Sequence, residues 1–255
     1  IINAVPFQKA GEVQHDLLNL IFSNVRVEEE RRGDFQAVLS GLHVGLERFD
    51  ELIRRYPPAT LLSVFTEMND RSEQHMRSYL AEMPDGDYFY EDAVDNDGHS
   101  DEAFLIKAKV TIRGDEATFD FTGSSPPALG PINVPRSTTV CACQMTIKHL
   151  FPDVPVNGGC FRPFDYVIPD ESFLAASSPR PTSGYLESVA RIISVVFGAL
   201  SSAIPERASG DMYGTAGAIT FTGNNPDTDS YFVMVLPGAG GYGGNADGDG
   251  LVHGP

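Results

Sequence analysis

A chain of 255 residues with 42% hydrophobic side chains is long enough for one large cored domain or two small ones. Its 18 Lys and Arg stand against 35 Asp and Glu, a formal net charge of −17 that argues against nucleic acid and anionic lipid as partners. No apolar run reaches the length of a membrane span, and the longest candidate, Ile192 to Ala203, is broken by Ser and Gly. The chain does not begin with Met, and no basic segment followed by an apolar stretch marks a secretory leader. Three cysteines do not make a disulfide framework and fit a reducing cytoplasm.

In chain order, residues 1–32 read as a strand or loop, an amphipathic segment Gln14 to Phe22, and a mixed-sign run Glu28 to Arg32 best taken as a solvated face. Asp34 is placed to cap a helix in which Phe35, Val38, Leu39, Leu42, Leu46, Phe49, Leu52 and Ile53 recur at spacings of three and four up to Pro57-Pro58. A second helix from about Leu61 to Met83, stopped by Pro84-Asp-Gly86, would pair with it as an antiparallel hairpin. Core packing is the simplest use of the two apolar stripes, and a subunit interface is the alternative.

From Asp87 the pattern alternates, and 103–112 with 117–121 across Arg113-Gly-Asp115 predicts a β-hairpin. A helix over about 137–150 and a short strand near 166–168 follow. The next helix, about 186–203, directs Val189, Ile192, Ile193, Val196 and Leu200 inward. A second hairpin joins 218–222 to 230–236 across Gly223-Asn-Asn-Pro226, and 238–250 is glycine-rich. The fold class is therefore α+β, mixed helices with antiparallel hairpins, divided into a helical part over 1–85 and a mixed part over 86–255.

Candidate sites are few. Asp95-Asn-Asp-Gly98 fails the EF-hand spacing, because glycine comes fourth rather than sixth; an Asx turn with solvated carboxylates is expected. Cys141, Cys143 and Cys160, with His149, lack the paired spacing of structural zinc and read as buried free thiols. No histidine sits beside a candidate nucleophile, although His253 lies next to the glycine-rich segment. That segment lacks the Lys of a phosphate loop and reads as a tight turn near a subunit contact. Ser124-Ser125 is not within a nucleophile elbow, so turn hydrogen bonding is expected of it.

Taken in order, the landmarks carry more. They include Ser23-Asn-Val-Arg26 and Gly33-Asp34; Pro84-Asp-Gly86 and Asp95-x-Asp-Gly98; Asp120-Phe-x-Gly-Ser-Ser125 with Pro131-Ile-Asn133. Further on stand Pro155-x-Asn-x-Gly159, Arg162-Pro163, Glu187-x-x-x-Arg191, Pro205-Glu206, Gly240-Gly-x-Gly243 and Asp247-Gly248. This series, from about residue 5 to 253, resembles the C-terminal half of the hydantoinase B (5-oxoprolinase-type) family, hydantoinase B-like in fold.

The resemblance implies part of a substrate-chamber subunit of an ATP-dependent cyclic-amide hydrolase acting on a small molecule. An A-type partner subunit would bind ATP and phosphorylate a carbonyl or enol oxygen, and a divalent metal would activate water. The same architecture serves acetone and acetophenone carboxylases, and a non-catalytic scaffold piece is a third reading. The family's His and Asp metal ligands lie upstream of this segment, so the metal and the rest of the B-type subunit are expected outside it, and the chain should not be active alone. Pro127 stands where the family usually has Gln. As pocket groups we single out Asn133 and Asn157 for an amide or enol-phosphate oxygen, and Gly123, Ser124 and Ser125 for backbone N–H donation. Arg191 is the sixth, with an intrahelical ion pair to Glu187 as its simpler role.

Overall fold

The computed structural model describes residues 5–215, 217–238 and 240–252. Two short strands, β1 (Gln8–Lys9) and β2 (Glu12–Val13), precede helices α1 (His15–Phe22), α2 (Glu28–Arg55) and α3 (Pro58–Glu82). Strands β3 (Gly86–Val94), β4 (Phe104–Arg113) and β5 (Glu116–Asp120) lead to α4 (Arg136–Leu150), β6 (Phe164–Val167) and α5 (Tyr185–Ser201). Strands β7 (Ala218–Asn224) and β8 (Tyr231–Pro237) close the order. The α+β class expected from the sequence is the class observed.

The chain divides into two compact units: residues up to Ser63 with Ile219–Leu236, and Val64–Ala218 with the chain from Pro237 onward. In the first, β1 pairs antiparallel with β2, and α1 buries Leu18 and Phe22. Phe22 meets Phe35 of α2 edge-on at 5.1 Å, and the Arg32 guanidinium lies 4.6 Å from the centre of the Phe22 ring. Helix α2 starts seven residues earlier than the Asp34 cap would place it: the Arg32–Glu28 and Arg31–Asp34 ion pairs carry it through Gly33. Glu28, Glu29 and Glu30 in its first turn complement the positive end of the helix. The mixed-sign run is thus exposed, as expected, but helical.

Core packing does not account for the α2 stripe. Of its residues only Leu39 is buried, while Val38, Leu42, Leu46, Phe49, Leu52 and Ile53 are exposed. Strands β7 and β8 form a two-stranded sheet with Ile219, Phe221, Tyr231 and Val235 exposed.

The second unit holds a four-stranded sheet in the order β3-β4-β5-β6. Alternation in β4 sends Ile106, Ala108, Val110 and Ile112 into the core, joined by Ala117 and Phe119 of β5. The β4–β5 turn falls where Arg113-Gly-Asp115 predicts it, with Arg113 opposite Glu116. Unlike the other pairs, β5 and β6 run parallel, because α4 lies between them as a crossover. Helix α5 packs on β3, β4 and α4, burying Ile192, Ile193, Val196 and Leu200 as its periodicity predicts, with Val189 half-buried against them. The C-terminal half of α3 adds Met76 and Leu80 to the same core, and Met83 just beyond the helix joins them.

Candidate functional site

The outer face of α5 carries a polar network within the second unit. Arg191 and Ser194 are one turn apart and point the same way. The Arg191 Nη1 donates to Asp92 Oδ2 at 2.8 Å and to Asp211 Oδ2 at 2.6 Å. Asp211 Oδ1 accepts from the Ser194 hydroxyl and from the Met212 N–H, and Asp92 Oδ1 accepts from the Ala93 N–H. Each carboxylate is therefore held by its own backbone before it meets the guanidinium. Arg191 is only 22% exposed. It pairs with these carboxylates rather than with Glu187, which corrects the intrahelical pair expected from spacing. An exposed pair one turn apart stabilises by about 0.2–0.5 kcal/mol, too little to compete with two preplaced acceptors.

Glycines let backbone close over this group. At Gly214 φ is +73°, and a Cβ there would stand 2.7 Å from Arg191 Nη2. A Cβ on Gly198 would reach 2.7 Å from the Tyr90 ring, so an aromatic from β3 lies flat on α5. The glycine-rich segment pairs its backbone with the chain before it, Met212 opposite Tyr242 and Ser209 opposite Asn245, which is the tight backbone geometry expected.

Two clefts open beside the network. One, of about 290 Å³, is polar and lined by Asp95, Asn96, Glu187, Arg191, Gly214 and Thr215. The other, of about 300 Å³, has an apolar wall of Tyr90, Ile193, Phe197 and Met212, with Ser194, Asp211 and His149 on its rim. Both match a small ring compound in size. Remaining guanidinium N–H groups can donate to a carbonyl, and the carboxylates can accept an amide N–H. His149 Nδ1 is hydrogen-bonded to the Met145 carbonyl at 2.8 Å. The arrangement suits binding and orienting a neutral polar ring.

The other sequence-derived candidates lie elsewhere, with their polar side-chain atoms engaged inside the fold. Asn133 is fully buried; its Nδ2 donates to the carbonyls of Ala128, Gly130 and Pro181, and its Oδ1 accepts from the Ala128 N–H. Asn157 caps the turn at Gly159 and Cys160 through Oδ1 and donates to Ser72 Oγ at 2.7 Å. A ligand oxygen would have to displace these bonds. Ser125 continues the β4 ladder, with its N–H on the Leu105 carbonyl and its hydroxyl accepting from the Leu105 N–H. Ser124 Oγ accepts from the Lys107 N–H, and its own N–H donates to Phe121 O. Gly123 sits at φ +90°, the turn that makes this return possible. The turn role expected of the serines is therefore observed.

Asp97 departs from expectation. It is 3% exposed rather than solvated, and accepts from the N–H groups of Gly130, His99 and Ser100. Those donors, Gly130 foremost, hold its carboxyl well below the usual range although burial opposes them. Cys143 and Cys160 are buried, but Cys141 is exposed, since residues two apart on a helix face different ways. Among the described residues no three His, Cys, Asp or Glu side chains converge to hold a metal ion, so these residues do not fit the metal the resemblance implies. His253 lies outside the described residues.

The Hydantoinase B/oxoprolinase family model matches residues 1–255. The chain belongs to that family. Within it, the chain is 30% identical to the caprolactamase β-subunit of Pseudomonas jessenii, over 89% of this chain and 39% of that one. It is 27% identical to the B-subunit of a D-/L-hydantoinase, so named provisionally, of Pseudomonas sp. (strain NS671), over 97% and 43% respectively. The crystal structure of the ATP-dependent caprolactamase from Pseudomonas jessenii superposes with a TM-score of 0.89 at 26% identity, over 98% of this chain and 44% of that one. A nucleotide-free acetone carboxylase structure shares the fold, with a TM-score of 0.83 at 16% identity, over 98% and 36%. The chain thus spans about two fifths of the length of the family members it matches. Both curated relatives are named as subunits. Among the described residues no helix is long and apolar enough to cross a membrane.

Proposed function

We propose that this chain is part of the substrate-chamber subunit of an ATP-dependent cyclic-amide hydrolase of the hydantoinase, oxoprolinase or lactamase type. It works with an ATP-binding A-type subunit and with the rest of the B-type subunit, and is inactive alone. The observation that carries the reading is the likeness to caprolactamase over 98% of the chain at 26% identity. The carboxylase reading ranks second because its likeness, at 16% identity, speaks for the fold alone. On this reading ATP is bound by the partner subunit and the divalent metal by polypeptide outside these residues. Within the chamber, the cluster of Arg191, Asp92, Asp211 and Ser194 orients the ring amide, and the Tyr90–Phe197 wall excludes water from its carbon face.

The test is ATP-dependent ring opening of a hydantoin, 5-oxoproline and a lactam by the assembled complex, with ADP release followed in parallel. Ring opening coupled to ADP release supports the proposal, and Arg191→Gln should lower kcat/KM roughly tenfold or more, about 1.4 kcal/mol of transition-state stabilisation. Ring opening by this chain alone without ATP sinks it. Bicarbonate-dependent consumption of a ketone, with no lactam opened, moves the function to the carboxylase class.

A further inference from the structure

By turning to Asp92 and Asp211, Arg191 leaves its neighbour on α5 unpaired. Glu187 lies one turn before Arg191 on the same face and is half-buried, yet its carboxylate makes no hydrogen bond or ion pair among the described residues. It lines the polar cleft of about 290 Å³ together with Asp95, Asn96 and Thr215. Asp95 has no cationic partner among the described residues either, and Asn96 engages only its Oδ1, on the Gly98 N–H. A carboxylate partly withdrawn from water is costly until a donor meets it. This one can be met from inside the cleft, by an N–H or an ammonium group that a ligand brings.

Charge excludes the opposite kind of arm. The carboxylates of Asp92, Asp95, Glu187 and Asp211 are gathered about the single guanidinium of Arg191. Among the described residues lining the polar cleft and the Tyr90–Phe197 cleft there is no Lys and no second Arg. A carboxylate carried in by a ligand would be the fifth around one cation, and like charges at close quarters repel. A ring carbonyl meets the remaining guanidinium N–H groups without that cost.

We infer that Glu187, with Asp95, sets the charge specificity of this site. It admits a ring amide whose side arm is a neutral hydrogen-bond donor or an ammonium group, and turns away one whose arm is a carboxylate. Among compounds open to the proposed reaction, 5-oxoproline is therefore a poor substrate and a ring free of carboxylate a good one. The inference rests on the cyclic-amide reading and narrows it, by discrimination against an unwanted charge as much as by attraction to the wanted one.

The test offers the assembled complex a matched set: 5-oxoproline, its carboxamide, and 5-aminomethylpyrrolidin-2-one, which share one ring and differ in the charge of the arm. The carboxamide should be opened with a kcat/KM roughly tenfold or more above that of 5-oxoproline, about 1.4 kcal/mol, and the aminomethyl compound should exceed 5-oxoproline at least as far. Added salt should shrink the preference. Glu187→Asp should keep it, Glu187→Gln should cut it severalfold, and Glu187→Lys should reverse it. A merely structural role for Glu187 would lower all the compounds alike and leave their ratios unmoved. A complex that opens 5-oxoproline as well as its carboxamide overturns the inference while the cyclic-amide reading stands, as do ratios indifferent to Glu187→Lys. If no ring is opened, the cyclic-amide reading falls, and calorimetric binding of the same set decides the inference by itself. Tighter binding of the carboxamide, reversed by Glu187→Lys, upholds it; equal binding or none overturns it.

Discussion

Helices α5 and α2 carry apolar residues at the same spacing and use them in opposite ways. On α5 the stripe meets β3, β4 and α4, so Ile192, Val196 and Leu200 are 2% exposed or less. On α2 the equivalent residues are exposed, and the unit to which it belongs has Leu18, Phe22, Leu39 and Leu61 as its buried apolar side chains among the described residues. Periodicity identifies the face that must be covered. It does not say whether the cover comes from the same polypeptide.

The contrast can be broken by paired truncations. Leu200→Ala should destabilise the second unit by about 2–5 kcal/mol in urea denaturation, because its contacts cannot be replaced. Gly130→Ala comes next, about 1–3 kcal/mol, since the added methyl would sit 1.7 Å from the Asp97 carbonyl oxygen in a buried loop. A change at Gly130 that left the unfolding midpoint untouched would remove this loop from the rigid part of the unit. Asp97→Asn sharpens the comparison through pH. The native carboxyl is held below its ordinary value of about 3.9, so its contribution is complete above that pH and is lost as pH falls towards the native value. The variant should therefore be less stable at neutral pH, with a shallower loss of stability below about pH 4; parallel acid-unfolding curves would contradict this. Smallest of all, Leu46→Ala on α2 should change stability by no more than about 0.5 kcal/mol. If Leu46→Ala costs as much as Leu200→Ala, the two helices do not differ as described.

Much of the architecture was legible because it is local. The β4–β5 hairpin, the inward residues of α5 and the stops at Pro57-Pro58 and Pro84-Asp-Gly86 depend on neighbours a few positions away. The failures are long-range. Asp97 looked solvated because its main donor, Gly130, is 33 residues distant. The parallel β5–β6 pair needs α4 folded between its strands, which no short window contains. Of the site, Arg191 was visible as a charge on an apolar helix. Its partners were not, because Asp92 lies 99 residues before it and Asp211 lies 20 after it, with no recognisable spacing. Ser194 was the one further member within reach, on the same helical face at three residues' distance. Asn133 and Asn157 have the right chemistry for a ligand, but the amide of buried Asn133 and that of half-buried Asn157 are both hydrogen-bonded within the fold.

The parallel alignment of β5 and β6 also sets an order of events for a refolding chain. The hairpin of β4 and β5 closes over a two-residue turn, whereas β6 must wait until the chain from 121 to 163 has looped back, at a larger entropic cost. Joining the sheet late, β6 makes the edge beyond β5 the last to be satisfied, and for that interval β5 is an open template for any extended strand nearby. Dilution during refolding should accordingly protect this protein more than cooling does, because the hazard is a collision between molecules.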